Sequence, residues 1–197
     1  MAESANRKKE RRKQILEAAM RIFAQKGFER ATTKAIAAEA GVAEGTIFIY
    51  FPTKRDLLIS CMQQKIVEPL PEIFNNESIS DEEVVREFFK NRFRLLRANQ
   101  GMFKLMISEG LYNPDLLKEF FERIFSPGLA EVARYFSRKM ESGAFKKLDP
   151  AVVARTLVGQ VIFHAWILVI SNTDPDEILS EDLVNTLTVI FLDGVRA

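Results

Sequence analysis

Cysteine occurs once in the 197 residues, at Cys61, so no disulfide can close within one chain, and a reducing cytoplasm is the expected compartment. Histidine also occurs once. A zinc site of His and Cys ligands is therefore excluded within a single chain, and neither metal nor cofactor is expected. Nine glycines and seven prolines are few for this length, which favours long helices over short strands joined by turns. Met1 to Lys13 is polar and basic and lacks the apolar stretch of a signal peptide. The longest apolar run, Leu157 to Ile170, contains Gln160 and His164 and is expected to be too short and too polar to span a bilayer. There is no HExxH, P-loop, GxGxxG or Ser-His-Asp set, and the one histidine lies in an apolar stretch, so an enzyme is not expected.

What remains is an ordinary globular composition, with 47% hydrophobic and 28% charged residues in 22.5 kDa. It suits one domain, or two small ones sharing a core. The net charge is +1 but unevenly spread. Residues 1–56 carry 12 Lys/Arg against 7 Asp/Glu (+5), and residues 57–197 carry 16 against 20 (−4). A basic head on an acidic body suggests that the head meets a polyanion. The densest run is Arg7-Lys8-Lys9-Glu10-Arg11-Arg12-Lys13.

The head has the pattern of a helix-turn-helix. Ile15, Leu16, Ala18, Ala19, Ile22 and Phe23 recur at helical spacing, which predicts a helix from about Lys8 to Gln25, ended by Gly27 in a left-handed position. Thr32 and Thr33 offer N-cap hydroxyls to a short helix over about Lys34–Ala40. Gly41 permits a tight turn, Val42 plugs the angle, and a third helix follows over about Glu44–Tyr50. After Pro52, Thr53 caps a fourth helix with Asp56 at N3, a variant of the capping box. Small residues at Ala37, Ala38 and Ala40 let the second and third helices approach, and the later helix of such a pair is shaped to enter a major groove.

The pieces AAMRIFAQKGF, TTKAIAAEAGV and GTIFIYF, with the Lys54 that follows, resemble the DNA-binding domain of the tetracycline-repressor (TetR) family over Ile15–Leu58. The resemblance implies an all-α homodimer: a three-helix DNA-binding head over 1–53, and a helical ligand-binding and dimerisation body over 54–197. It puts Thr33 and Lys34 at phosphates and Ala43, Glu44, Gly45 and Thr46 at the leading end of the recognition helix. It puts Tyr50 and Lys54 at backbone-clamping positions. Phe48 departs from the pattern, where tyrosine is usual, so its role there must be apolar, for instance against a thymine methyl. On chemistry, Lys34, Lys54 and the Arg7–Lys13 run supply charge to phosphates. Glu44 suits either of two roles: accepting from a cytosine amine, or sitting favourably at a positive helix N-terminus.

Beyond Lys54, helical patterns run over roughly 54–74, 81–98, 101–109, 115–125, 128–142, 151–171 and 180–194, with a break expected at Ser126-Pro127-Gly128 and a start at Asp149-Pro150. Twelve of the sixteen phenylalanines lie after residue 56. Each alone suits a core, but together such bulky rings favour a pocket for an apolar or aromatic ligand, for which Phe88, Phe103, Phe121 and Phe163 are candidates. Arg92 falls on the apolar side of its helix, so it must either pair with a carboxylate such as Glu109 or meet an anionic or carbonyl group of the ligand. Thr156, Gln160 and His164 form a narrow polar stripe on an otherwise apolar helix, facing either the pocket or a dimer interface.

The expected function is a transcriptional repressor released from a palindromic double-stranded operator by a small hydrophobic or aromatic effector. It is expected to be dimeric through its last two long helices and to have no membrane partner. The rival is a dimeric DNA-binding regulator without an effector. A membrane-surface protein would leave the caps and turn of the head without a purpose.

Overall fold

The structure, a computed structural model, describes residues 2–66, 71–76, 78–171, 174, 176 and 179–196. Its helices are α1 (Ala2–Arg30), α2 (Thr33–Glu39), α3 (Glu44–Tyr50), α4 (Lys54–Ile66), α5 (Pro71–Phe74), α6 (Asp81–Ala98), α7 (Gln100–Tyr112), α8 (Pro114–Phe120), α9 (Ser126–Glu141), α10 (Pro150–Ser171) and α11 (Glu181–Val195), with a π-helical turn, Phe121–Phe125, between α8 and α9. Among the described residues the only extended pairing is a bridge between Phe145 and Arg196. The chain is all-α, as expected.

The head forms where local signals demand it. α1 kinks at Gly27, whose φ of 72° is the left-handed conformation that glycine adopts without strain. Thr32 caps α2 by accepting from the Ala35 N–H at 3.1 Å, and Gly41 makes the turn into α3 with φ 61°. Thr53 accepts from the Asp56 N–H at 3.0 Å while its hydroxyl donates to the Asp56 carboxylate at 2.7 Å. Gln14 on α1 donates to the Ala40 carbonyl at the end of α2 at 2.8 Å. Ile15, Ala18, Ala19, Ile22 and Phe23 of α1 bury against Ile36, Ala37 and Ile47. The Arg7–Lys13 run lies inside α1 as an exposed helical extension, because α1 begins at Ala2 and not near Lys8.

One cluster of buried side chains runs from Ile15 in α1 to Val195 in α11. α6 has the strongest sidedness: Ser80 caps it, Asp81, Glu82 and Glu83 occupy its positive end, and Val84, Val85, Phe88, Phe89, Phe93, Leu95 and Leu96 are buried. Rings of Phe74, Phe88, Phe89, Phe93, Tyr135, Phe136, Phe145 and Phe191 touch in a connected chain, with centroids 5.2 to 6.0 Å apart. Most of the phenylalanine excess is therefore core.

Two expectations fail. The break expected at Ser126-Pro127-Gly128 does not occur, and helix runs on from Pro114 to Glu141 through the π turn. Pro127 has no N–H, so the Arg123 carbonyl lacks its α-helical donor. Gln63 of α4 supplies one, its Nε2 donating to that carbonyl at 3.0 Å, while the Ser126 N–H reaches back five residues to Phe121. Leaving such a group unmet costs about 1–3 kcal/mol. Secondly, α10 is 22 residues long and by length and composition alone is sufficient to cross a bilayer, since the helix extends past the apolar run at both ends. It is packed into the bundle here, burying Val153, Ala154, Leu157, Val161 and Ala165. The helix expected over 54–74 is found as α4 and α5, and residues 67–70 between them lie outside the described residues.

Candidate DNA-binding head and effector cavity

Successive residues of an α-helix turn by about 100°, which puts Glu44, Gly45, Phe48 and Ile49 of α3 on one face while Ile47 points inward. That outer face is open: Ala43, Glu44 and Gly45 are exposed, Phe48 is 47% exposed and Ile49 75%, and Ile47 is fully buried. Thr46 and Tyr50 are half-buried at its flanks. Ile49 was not among the expected contacts, yet its place one residue after Phe48 on a helix with a single buried isoleucine marks it. Lys34 is exposed at the start of α2. Thr33 donates its hydroxyl to Glu44 Oε1 at 2.5 Å, tying the start of α2 to the leading end of α3.

Lys54 is placed differently from expectation. Its ammonium donates to the carbonyls of Phe28 at 2.8 Å, Ala31 at 3.1 Å and Glu29 at 3.4 Å, and lies 4.3 Å from the Phe28 ring centre. All three protons are directed at the main chain that follows the Gly27 kink, so Lys54 closes the α1–α2 connection and its charge is turned inward.

The body holds a cavity of about 1110 Å³, open to solvent on one side, between α6, α7, α8, the π turn, α9 and α10. Its wall is predominantly apolar, with Arg92, Lys118, Glu122, Glu131 and Arg155 as the charged members. Four of the seven expected ligand residues, Phe88, Arg92, Phe103 and Phe121, lie on that wall. Gln160, Phe163 and His164 do not. α10 shows the cavity Arg155, Val158, Gly159, Val161, Ile162, Ala165 and Trp166, and at about 100° per residue the Thr156–Gln160–His164 stripe points away. His164 sits between the rings of Phe93 and Phe163, with centroids 5.7 and 5.9 Å away, and its Nδ1 donates to the Gln160 carbonyl at 2.7 Å. Gln160 Oε1 is buried without a hydrogen-bond partner among the described residues. Phe163 is 63% exposed, on the same outer stripe as Val152 and Ile170, and Val189 and Ile190 are exposed on α11.

Arg92 and Glu109 do not pair. The Arg92 guanidinium bonds its neighbour Asn91, with Nε 2.8 Å from the amide oxygen, whereas Glu109 leaves the body altogether. Its Oε1 accepts the Phe28 N–H at 2.9 Å, just past the kink of α1. Glu109 belongs to α7, whose Phe103, Met106, Ile107, Gly110 and Leu111 line the cavity.

A second connection runs through the π turn. Phe121 and Phe125 face the cavity, while Arg123 is held 2.8 Å from Asp56 Oδ1 and 3.4 Å from Glu119, and Glu119 is 3.0 Å from Arg55. Asp56 and Arg55 open α4, directly after the head. Hydrogen bonds from Thr53 and then Arg123 hold the Asp56 carboxyl below the usual carboxylate range, against a smaller opposing effect of burial. Cys61 is buried, its thiol pushed up to about 12 by loss of water, which makes it unreactive. Among the described residues no group of His, Cys, Asp and Glu is placed to hold a metal.

Comparison with known proteins agrees with this geometry. Residues 15–61 match the family model for bacterial regulatory proteins of the tetR family, and residues 77–193 match that for the C-terminal domain of AefR-like transcriptional repressors. The fatty acid metabolism regulator protein of Bacillus subtilis is 24% identical over 186 residues, 93% of this chain and 94% of that one. The nucleoid occlusion factor SlmA of Sodalis glossinidius is 30% identical over 175 residues, 80% of this chain and 82% of that one. Among solved structures, the fatty acid degradation regulator FadR of Bacillus halodurans superposes with a TM-score of 0.75 at 27% identity, covering 93% of this chain and 99% of its own. FadR of Bacillus subtilis in complex with stearoyl-CoA superposes with 0.73 at 24%, covering 92% and 97%. With an open-faced helix-turn-helix at one end, a lined cavity at the other and family models matching both, the chain belongs to the TetR family: it is a DNA-binding transcriptional regulator and not an enzyme.

Proposed function

We propose that the protein is a ligand-responsive repressor, in which an elongated apolar effector in the α6–α10 cavity releases a homodimer from a palindromic operator in the cytoplasm. The observation that carries this reading is that two pieces of the cavity wall reach the head or its border: α7 through Glu109 to the Phe28 N–H, and the π turn through Arg123 to Asp56 at the start of α4, directly after the head. An effector that fits better when α7 or the π turn has shifted pulls on residues 1–53 through those bonds. Equal affinity for both states would shift nothing. Relatives named as regulators of fatty acid metabolism support a long-chain effector. Phe88, Phe103 and Phe121 would pack against its body, with Arg92 meeting a polar group.

The head supplies Lys34 and the Arg7–Lys13 extension for phosphates, and Ala43, Glu44, Gly45, Thr46, Phe48 and Ile49 for the groove, flanked by Thr33 and Tyr50. The body over 54–197 dimerises through the exposed apolar stripe of α10 and α11, where Val152, Phe163, Ile170, Val189 and Ile190 need cover. The orphaned Gln160 oxygen is available for a hydrogen bond from the second copy.

The test is selection of bound duplexes from a random pool, followed by anisotropy with the selected operator and long-chain acyl compounds. A two-fold symmetric site and loss of operator affinity on adding the acyl compound are expected. A symmetric site whose affinity no acyl compound alters would favour the second reading, an effector-independent regulator, which the similarity to a nucleoid occlusion factor supports.

A further inference from the structure

Five charged side chains line the cavity, and four of them are answered by the protein itself. Arg92 bonds Asn91, Lys118 lies 3.9 Å from Glu122, and Glu131 pairs with Arg134. The fifth, Arg155 on the second turn of α10, makes no hydrogen bond or ion pair with any described residue, and it is exposed where the mainly apolar cavity opens to solvent. A guanidinium at the rim of an apolar cavity, held by no protein group, is open to bidentate bonding by a carboxylate or phosphate whose tail enters the cavity.

Trp166, the one tryptophan of the chain, lines the same cavity. Eleven residues separate it from Arg155, which on an α-helix returns to within about 20° of the same face and rises about 16 Å. Val158, Gly159 and Ile162 lie between them on that face, so the wall from Arg155 to Trp166 is one continuous strip without another charge. An extended chain advances about 1.2 Å per bond, so about 13 bonds cover the strip.

We infer that Arg155 is the head-group receptor of the effector site, and that the effector is an amphiphile whose anionic end bonds Arg155 while an apolar tail runs along α10 to Trp166. This rests on the cavity being the effector site. It adds the class of ligand, its orientation and a minimum tail length. Carboxylate and phosphate heads share the chemistry that Arg155 selects.

Tryptophan emission of the full-length protein reads the far end of the strip directly. Tetradecanoate, tetradecyl phosphate and tetradecanol would be titrated at pH 7.5, with octanoate as the short chain. Tetradecanoate or tetradecyl phosphate, or both, should bind at least about 10-fold more tightly than tetradecanol. Which of the two does so identifies the head. Octanoate should leave the emission unchanged. Arg155→Gln should bring the anionic ligands down to the affinity of tetradecanol, whose own affinity stays the same, and Arg155→Lys should keep part of the preference. Unaltered tetradecanol binding certifies the folded cavity in each variant. Equal binding of charged and neutral ligands by the wild type, or a preference that survives in Arg155→Gln, overturns the assignment while leaving the effector site intact. No emission change with any tetradecyl compound overturns both the assignment and the effector site on which it rests.

Discussion

Glu109, in the wall helix of the cavity, accepts the main-chain N–H of Phe28, at the end of the first DNA-binding helix, at 2.9 Å. The two residues lie 81 positions apart, and the left-handed Gly27 turns the chain so that the Phe28 N–H meets the carboxylate. The bond is charge-assisted and links the effector compartment to the head without passing through α4.

Glu109→Ala should therefore lower the melting temperature by several degrees, since an unmet N–H costs about 1–3 kcal/mol and each kcal/mol is worth about 2–4 °C at this chain length. Glu109→Gln, which keeps an acceptor oxygen, should lose less. Both should reduce the ratio of operator affinities measured without and with effector. Calorimetry and anisotropy on the same samples check this, and an unchanged ratio in Glu109→Ala would remove α7 from the coupling route.

Lys54→Ala should destabilise the fold by leaving three carbonyls without their donor, while the slope of log affinity against log salt for operator binding stays that of the wild type. A phosphate-binding lysine would instead flatten the slope by about one unit on removal. Chemical denaturation and salt-dependent anisotropy separate the two outcomes.

Lys34→Ala should flatten that slope by about one unit and weaken all duplexes alike. Phe48→Ala and Ile49→Ala should leave the slope alone and change the preference among operator variants, because an apolar side chain reads a thymine methyl but no charge. Binding to a small library of operator variants at two salt concentrations tests all three.

The depressed carboxyl of Asp56 has a definite signature with pH. A group whose native value lies below its unfolded value contributes stability that is present above the unfolded value, near 3.8, and lost as pH falls through the native one. Wild-type melting temperature should thus fall more steeply between pH 5 and pH 3 than that of Asp56→Asn, and the two curves should converge in acid. Parallel curves would show that the Thr53 and Arg123 contacts hold no proton-linked stability.

The head was legible in the sequence because its signals are local. Thr32, Gly41 and Thr53 act within three residues of themselves, and the apolar spacing of α1 admits one arrangement. The cavity was less legible. α10 is apolar around most of its circumference, so the sequence left open which side meets the cavity. Gln160, Phe163 and His164 face away, while Arg155, exposed at the mouth of the cavity, carries no pattern that sets it apart from other surface charges. Arg92 and Glu109 fall on adjacent helices, but the long-range partner of Glu109 is a main-chain N–H, which no side-chain pattern announces. Lys54 and Pro127 teach the same lesson: whether a lysine faces outward, or a proline ends a helix, was settled by the Phe28–Ala31 carbonyls and by Gln63, far away along the chain.

The π turn at Phe121–Phe125 holds one residue more than an α-helical turn would need. Deleting any one of those five residues would let the run from Pro114 rewind as regular helix with little change of phase, because five residues in a π turn sweep about the same angle as four in an α-helix. Val132, Tyr135, Phe136 and Met140, all buried on α9, would keep their side of the helix, whereas Phe121 and Phe125 would lose the widened turn that sets them on the cavity wall. The surplus residue is thus taken up locally, shaping the cavity wall and sparing the core, so a chain shortened here by one residue should still fold but hold a different effector.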